Sequence, residues 1–402
     1  MKEFELKNGI KSVYKKNTET PRIALTMNFS IDNEEKLAGT HSLMTRLLLQ
    51  GTKTYNNEEL AKVLDENGIE LIADMKQDYL RFRMLCLNED FPKALELLSD
   101  IVKNSTFVEF DKEKVKMKGE LVAELDSARL KVSDAFVKTI YEGHYYGHTY
   151  TNILETIDGI TKEDVVSAYK RILSESKKVI AVVGSLDEND VISLLDKHFD
   201  DLTNNKNAVK TYSAPKLDSS KKVEVIKEDA QQAQILQGWL MPTFKEEDYP
   251  VMLTINTILG ASGLSSRLFR ELREKRGLAY TVRTSCEVRE LSSVFSIYIA
   301  TEPSKIDTCL KGFKEEVDKI KSELVSEEEL QNAKNNIDGK HQFIVETNFQ
   351  QSSSLAYYGI NDLPFGYYDE MHKKIESVTP QQVMECAKKY FTDNSVIAVL
   401  HP

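Results

Sequence analysis

The sequence predicts an α+β protein built from two similar domains. Three observations lead to this prediction. The chain has 402 residues, too many for one ordinary hydrophobic core. A cap–helix–strand pattern occurs twice, and the spacing of apolar residues is that of strands in some segments and that of helices in others. Hydrophobic residues make up 41% of the chain and charged residues 29%, the balance of a folded globular protein. We therefore expect two homologous domains, each a mainly antiparallel sheet covered by helices, that face each other across a cavity.

The duplication is clearest at the starts of predicted helices. Thr161 and Thr379 each precede a helical stretch that leads into an apolar strand, and the two threonines lie about 218 residues apart. A hydroxyl residue followed three positions later by an acidic or amide residue predicts a capping box. This pattern occurs at Thr161 with Asp164, Thr379 with Gln382 and Ser326 with Glu329.

The repeat divides the chain near its middle. Residues 202–222 are rich in Asn, Lys, Ser and Thr and include Pro215, a composition typical of a linker. We therefore expect an N-terminal domain at 1–210 and a C-terminal domain at 220–402.

Apolar spacing predicts the same kinds of element in both halves. Residues 80–84 alternate between apolar and polar side chains, as in a half-buried strand, and residues 94–102 follow helical spacing. In the second half, residues 295–299 alternate as a strand and residues 306–320 place apolar side chains on one helical face.

Charge and apolar runs exclude several classes of partner. The formal net charge is -11, whereas a nucleic-acid-binding protein needs a basic surface. No stretch approaches the roughly 18 consecutive apolar residues of a membrane span, and the first residues lack the apolar core of a signal peptide. The cysteines lie far apart and form no CxxC pair, which favours free thiols and a cytoplasmic protein: Cys86, Cys286, Cys309 and Cys386.

Two passages carry a resemblance to a known family. Residues 37–52 read LAGTHSLMTRLLLQGT and residues 263–280 read GLSSRLFRELREKRGLAY. The first resembles the metal helix of the insulinase, pitrilysin and mitochondrial-processing-peptidase family, whose motif is roughly GxxHxxEH followed by an apolar stretch and GT. The second is similar, over some 18 residues, to the helix and turn in the second half of the same proteins. With the duplication, the resemblance covers nearly the whole chain.

The metal motif of that family is broken in this sequence. In HxxEH, two imidazoles one helical turn apart bind zinc, and the glutamate takes a proton from the metal-bound water. Here His41 keeps the first ligand position, whereas Met44 replaces the general base and Thr45 the second ligand. A distal acidic ligand is left as Glu124 or Glu120. The resemblance therefore implies a degenerate remnant, His41 with Glu124, and no metal in this chain.

The second passage keeps the residues that the family uses on substrate. The resemblance implies that Arg273 and Tyr280 bind the substrate backbone, since a guanidinium and a phenol can both donate hydrogen bonds to peptide carbonyl groups. Ser265 or Ser266 can cap the helix, and Gly277 can end it. The alternative is a solvated arginine stripe at positions 267, 270 and 273, with Tyr280 in the core.

The resemblance implies a non-catalytic, substrate-binding subunit of a heterodimeric zinc metallopeptidase that cleaves peptides or unfolded polypeptides in a closed chamber. The expected partner is a homologous subunit that carries HxxEH and holds the zinc, and the chain alone is expected to be inactive. The alternative is a non-proteolytic scaffold or peptide-binding protein derived from the same family.

Overall fold

The computed structural model describes residues 1–31, 35–206 and 212–402, which form two compact units. The first unit comprises Met1–Glu120, Asn152–Tyr212 and Gln342–Tyr367. The second unit comprises Leu121–Thr151, Ser213–His341 and Tyr368–Pro402. Each unit therefore takes a short segment from the other half of the sequence.

Runs of consecutive strands and runs of consecutive helices follow one another along the chain. In the first half the elements are β1 (Lys2–Glu5), β2 (Lys11–Lys16), β3 (Arg22–Ser30), α1 (Thr40–Leu47), α2 (Asn57–Glu66), β4 (Glu70–Met75), β5 (Tyr79–Leu87), α3 (Phe91–Asn104), α4 (Phe110–Asp126), α5 (Ala128–Ile140), α6 (Tyr150–Thr156), α7 (Lys162–Glu175), β6 (Lys178–Gly184) and α8 (Glu188–Phe199). In the second half they are β7 (Lys221–Ile226), β8 (Ala233–Met241), α9 (Tyr249–Asn256), β9 (Ala279–Glu287), β10 (Ser293–Thr301), α10 (Ile306–Ser322), α11 (Glu327–Ile344), α12 (Asn348–Ile360), α13 (Tyr367–Glu376), α14 (Pro380–Tyr390) and β11 (Val396–His401).

The two sheets share one topology. The strand order is β1-β2-β6-β3-β5-β4 in the first sheet and β7-β11-β8-β10-β9 in the second. Apart from β1, the strands correspond one to one, and in each sheet a single parallel pair, β2 with β6 or β7 with β11, joins otherwise antiparallel neighbours. The predicted α+β class and the predicted repeat are confirmed.

The predicted helix starts are confirmed at the two threonines. Thr161 and Thr379 cap α7 and α14 with complete capping boxes. The capping box predicted at Ser326 is wrong in one respect. The Ser326 hydroxyl accepts a hydrogen bond from the Glu329 N–H at 3.1 Å, but the Glu329 carboxylate binds Arg267 instead of returning to the helix start.

Each sheet buries one face beneath a helix from the other half of the sequence. In the first unit, α12 packs Leu355 and Ala356 against the β6 residues Val179 and Ala181. In the second unit, α5 plays the same part, with Val132 and Phe136 in one apolar cluster with strand residues of β8, β10 and β11. The repeat offset relates the two helices, because α5 and α12 occupy equivalent places in the two halves.

The opposite face of the second sheet carries the larger of that unit's cores. Side chains of β8 and β10 pack there against α9, α10 and α14. Trp239 lies in this cluster, and its indole N–H donates to the Thr392 carbonyl at 2.9 Å. This core supports the segment between α9 and β9 on which the sequence places the arginine-rich passage.

The predicted linker overlaps residues 207–211, which lie outside the described residues. Its described parts, 202–206 and 212–220, contain neither helix nor strand, and β7 begins at Lys221. Within the described chain, no helix is both long enough and apolar enough to cross a membrane.

The packing of α12 can be tested by truncating one buried side chain. We expect Leu355→Ala to lower the free energy of unfolding by about 2–5 kcal/mol, because Leu355 is 6% exposed and fills a packed apolar cluster. Leu324→Ala is the matched control, since Leu324 is 58% exposed and should change stability by less than about 0.5 kcal/mol. Urea denaturation of both variants measures the difference. Equal effects would show that α12 does not cover the first sheet.

Candidate substrate-contact site and degenerate metal motif

His41 lies in the first turn of α1, where the metal helix begins in the family. Both oxygens of the Glu35 carboxylate accept backbone hydrogen bonds there, from the Gly39 N–H at 2.9 Å and the His41 N–H at 2.8 Å. The same carboxylate lies 3.7 Å from the His41 Nδ1 atom. Glu35 thus caps the positive end of α1 and holds the surviving histidine beside it.

Met44 and Thr45, which occupy the general-base and second-ligand positions of the motif, contribute to the packing of the core. Met44 is fully buried, and Thr45 is nearly so. The Thr45 hydroxyl donates to the His41 carbonyl at 2.8 Å, a bond back to the preceding turn of its own helix. Neither side chain offers the basic atom that a zinc-bound water or a zinc ion requires.

The two acidic candidates on α4 belong to different compact units. Glu120 forms an ion pair with Arg46, and this hydrogen bond holds the pKa of the Glu120 carboxyl below its usual value. Glu124 belongs to the second compact unit, whereas His41 belongs to the first. Burial, with a smaller contribution from a hydrogen bond to Glu124, raises the pKa of Tyr150.

The residues at this motif do not fit a zinc ion. Catalytic zinc takes three protein ligands, with a glutamate as general base in HxxEH sites. One histidine, a thioether, a threonine that bonds its own helix and an arginine-paired carboxylate do not supply that set. Across residues 1–31, 35–206 and 212–402, no group of three His, Cys, Asp or Glu side chains could hold a metal ion.

Two π-helical segments in the second unit lie just before and within the second passage. Thr257–Ala261 and Phe269–Lys275 are both π-helical, a rare geometry that occurs often at functional sites. Gly277 follows the second segment with φ +59°, and its N–H donates to the Arg273 carbonyl at 3.1 Å. The predicted glycine stop is therefore confirmed, and it turns the chain directly into β9.

Arg273 is held between two aromatic rings. Its guanidinium carbon lies 4.5 Å from the ring centre of Phe269 and 4.7 Å from that of Tyr280. Tyr280 is the second residue of β9 and is 79% exposed. The structure thus brings the two residues of the sequence prediction together, and the alternative that places Tyr280 in the core is wrong.

The neighbouring arginines bind carboxylates. Arg267 forms a bidentate ion pair with Glu329, with hydrogen bonds of 2.8 and 2.6 Å, and Arg270 lies 3.7 Å from the same carboxylate. Arg276 pairs with Glu271 and Glu315. Arg273 has no ion pair to any described residue. The predicted alternative of a solvated arginine stripe is therefore wrong for Arg267, whose side chain is largely buried and paired with Glu329.

Two contributors to these sites escaped the sequence reasoning. Phe269 stands four residues before Arg273, the spacing that places two side chains on one helical face. The resemblance indicated roles for Arg273 and Tyr280 only, so the contact with Phe269 was not predicted. Glu35 precedes α1 by five residues, outside the usual capping window. The first contact was accessible from helical spacing, whereas the second depends on a loop conformation.

The comparisons with known proteins agree with this fold. Residues 10–155 match the model of the insulinase family, peptidase family M16, and residues 159–337 match that of the peptidase M16 inactive domain. An uncharacterized zinc protease of Mycobacterium leprae is 25% identical over 93% of this chain and 84% of its own length. The YmxG protein of Bacillus subtilis, also called an uncharacterized zinc protease, is 24% identical over 100% of this chain and 98% of its own.

Solved structures show the same architecture. A protease from Helicobacter pylori superposes with a TM-score of 0.91 at 22% identity, covering 100% of this chain and 99% of that one. A peptidase M16 inactive domain from Pseudomonas fluorescens gives 0.88 at 21% identity, covering 100% and 97%. The chain belongs to the insulinase family and is a member that lacks the zinc motif.

The broken motif can be tested through metal content. We expect the purified chain to hold no stoichiometric zinc and to hydrolyse no peptide, because Met44 and Thr45 replace the base and a ligand. Met44→Glu with Thr45→His should still bind no stoichiometric zinc and should lose about 3–5 kcal/mol of stability, since the new carboxylate would be buried without a partner. Elemental analysis and thermal melting measure both quantities, with Met44→Leu as the control. One zinc ion per parent chain would contradict the prediction that this chain holds no stoichiometric zinc.

The pKa of Glu271 predicts how the arginine-bearing segment responds to acid. Hydrogen bonds from Lys275 and Arg276 lower the pKa of this carboxyl from 4.5 to about 2. Because the folded-state pKa is depressed, the ion pairs stabilise the chain fully above about pH 4.5, and this stabilisation is lost as the pH falls towards 2.

We therefore expect Glu271→Gln to lower the free energy of unfolding at pH 7 by about 1 kcal/mol, a value limited by solvent screening. The difference from the parent should shrink between pH 4.5 and pH 3. Urea denaturation across that range measures it, with the exposed Glu274→Gln as control. A pH-independent difference would contradict the assignment.

Proposed function

We propose that this chain is the non-catalytic, substrate-binding subunit of a heterodimeric zinc metallopeptidase. The observation that carries the proposal is the Arg273–Tyr280 pair, a guanidinium without a carboxylate partner among the described residues and stacked on a largely exposed phenol. The reaction is hydrolysis of peptides or unfolded polypeptides. The zinc and its HxxEH motif belong to a homologous partner subunit.

The chemistry of the pair supports binding of a peptide backbone. A guanidinium that is stacked on aromatic rings keeps its N–H donors in the ring-parallel plane, where they can reach a carbonyl oxygen. Because Arg273 has no ion pair within the described chain, its charge is available to a substrate or to the negative charge that develops as an amide is attacked. Tyr280 adds a second donor beside it.

The position of Tyr280 on the sheet also suits a peptide. The strand β9 stands at the end of the second sheet and pairs with β10 along one side. An edge strand offers backbone N–H and C=O groups to which an extended peptide can add as a further strand. A peptide held in this way would pass the Arg273–Tyr280 pair.

The division of labour follows from the first half of the chain. Met44 and Thr45 supply neither the base nor the ligand of the zinc reaction, so water activation has to come from another chain. The family provides homologous chains with an intact motif as the natural partner. The alternative, a non-proteolytic scaffold or peptide-binding protein, needs no unneutralised arginine beside an exposed tyrosine.

The proposal is tested in the complex with an HxxEH-bearing subunit. We expect Arg273→Ala and Tyr280→Phe each to lower peptide turnover by ~10²–10³-fold, the usual cost of losing one preorganised donor. Assembly and melting temperature should stay unchanged, because Tyr280 is exposed and Arg273 binds no acidic side chain in the described structure. A fluorogenic peptide assay, gel filtration and thermal melting supply the three readouts.

Arg283→Ala is the matched control. Arg283 is an exposed arginine of the same strand, stacked on Tyr298 at 5.4 Å, so its loss changes charge equally without touching the pair. Small, equal effects for Arg273 and Arg283 would make the scaffold alternative the better one. Failure to isolate any complex with an HxxEH-bearing chain would remove the peptidase role altogether.

A further inference from the structure

The ladder between β9 and β10 is irregular near the start of β9. Along the regular part of the two strands, each residue of β9 lies opposite one residue of β10, as far as Thr281, which lies opposite Ala300. The next residue of β10, Thr301, lies opposite Ala279, so Tyr280 is left between the two pairs. Tyr280 is therefore the extra residue of a β-bulge, a feature that often occurs beside functional sites and redirects a side chain there.

The bulge decides which way Tyr280 faces. Side chains of a regular strand alternate between the two faces of a sheet, and Val282 and Thr284 are buried. Unbroken alternation would therefore bury Tyr280 as well. Instead, Ala279 packs against the core cluster that contains Val282, and Tyr280 is exposed. The extra residue thus exchanges the faces of positions 279 and 280, and the phenol ring lies against Arg273.

One buried hydroxyl holds the chain next to the bulge. Thr301 ends β10, and its hydroxyl donates to the Leu278 carbonyl at 2.6 Å. Both residues are buried, where a backbone carbonyl needs a donor. The Leu278 N–H in turn donates to the Leu272 carbonyl at 2.9 Å, inside the π-helical segment Phe269–Lys275. Thr301 therefore connects the start of β9 to the helical segment that carries Arg273.

The direction of the Arg273 side chain depends on this arrangement. No ion pair with a described residue holds the guanidinium, which stacks on the rings of Phe269 and Tyr280. Phe269 belongs to the same helical segment as Arg273, whereas Tyr280 reaches the guanidinium through the bulge. A change in the bulge would move one of these two rings, and a displacement of about 1 Å in a reactive arrangement can cost ~10²-fold in rate.

We propose that Thr301 is a positioning residue of the substrate-contact site. Its hydroxyl fixes the bulge at Tyr280, and the bulge directs the Arg273 guanidinium towards a peptide carbonyl. The consequence for a substrate rests on the proposed function, whereas the geometry of the pair can be tested in this chain alone. A threonine that only stabilised the fold would leave the pair unchanged in every variant that remains folded.

The geometry is tested by NMR of the full chain with isotope-labelled arginine. The Arg273 signals are assigned by their loss in Arg273→Lys, and Tyr280→Ala gives their positions without the second ring. We expect Thr301→Val, which replaces the hydroxyl by a methyl group of similar size, to shift the Arg273 signals towards their positions in Tyr280→Ala. The reason is that ring-current shifts fall steeply with distance. Thr301→Ser keeps the donor and should leave the signals at their parent positions.

The consequence for a substrate is measured as peptide turnover in the complex with an HxxEH-bearing subunit. Thr301→Val should lower turnover by about 10- to 100-fold, and Thr301→Ser should restore it. Thr254→Val is the matched control, because Thr254 is also buried and its hydroxyl also donates to a backbone carbonyl, that of Pro250 in α9, at 3.0 Å. This control should change neither the Arg273 signals nor turnover.

The outcomes separate this inference from the proposed function. Thr301→Val with the Arg273 signals and turnover of Thr254→Val would overturn the inference, as would Thr301→Ser that behaves like Thr301→Val. Full turnover in Arg273→Ala and Tyr280→Phe would instead contradict the proposed function. Circular dichroism melting shows whether each variant is folded. Thr301→Ala, which removes the donor without adding an apolar contact, takes the place of Thr301→Val if that variant does not fold.

Discussion

The need to bury both faces of each sheet governs this structure. Every residue of β6 is buried, as are all but the first of β3, so helices on one side alone cannot shield them from water. The second cover comes from a helix of the other half of the sequence, α12 for the first sheet and α5 for the second. Hydrogen bonds fix the first of these helices in place, with the Thr26 and Ser352 hydroxyls 2.9 Å apart and the Asn348 amide donating to the Arg22 carbonyl at 2.8 Å.

This exchange has consequences for how the chain is divided. The two halves of the repeat, read along the sequence, are not the same sets of residues as the two compact units. Each unit depends on a segment that is distant in sequence, which increases the share of long-range contacts and should make folding slower than for two independent domains of the same size. The exchange also explains why α5 and α12 are equivalent in the repeat: each covers the sheet of the other half.

The same scaffold treats its two signature passages differently. In α1, the position of the general base has become a fully buried methionine, and the second ligand has become a threonine that bonds its own helix, so the passage now contributes to packing. In the second half, the arginine-rich helix keeps one guanidinium away from every described carboxylate while its neighbours are paired. Aromatic stacking, not an ion pair, determines where Arg273 points. That difference is what favours a substrate-binding role over a structural one.

How much the sequence determined differs from feature to feature. Periodicity and capping pairs were enough to predict a strand over 80–84, a helix over 94–102 and the helix starts at Thr161 and Thr379, because these depend on neighbours within a few residues. The first two lie inside the longer elements β5 and α3. The broken metal motif and the arginine–tyrosine spacing were also evident from the residues themselves. The tertiary structure alone decided which helix covers which sheet, that Glu329 binds Arg267 instead of completing a capping box, and that Phe269 and Tyr280 enclose Arg273. Each of these depends on side chains that meet through packing of separate elements, and no local pattern records that packing.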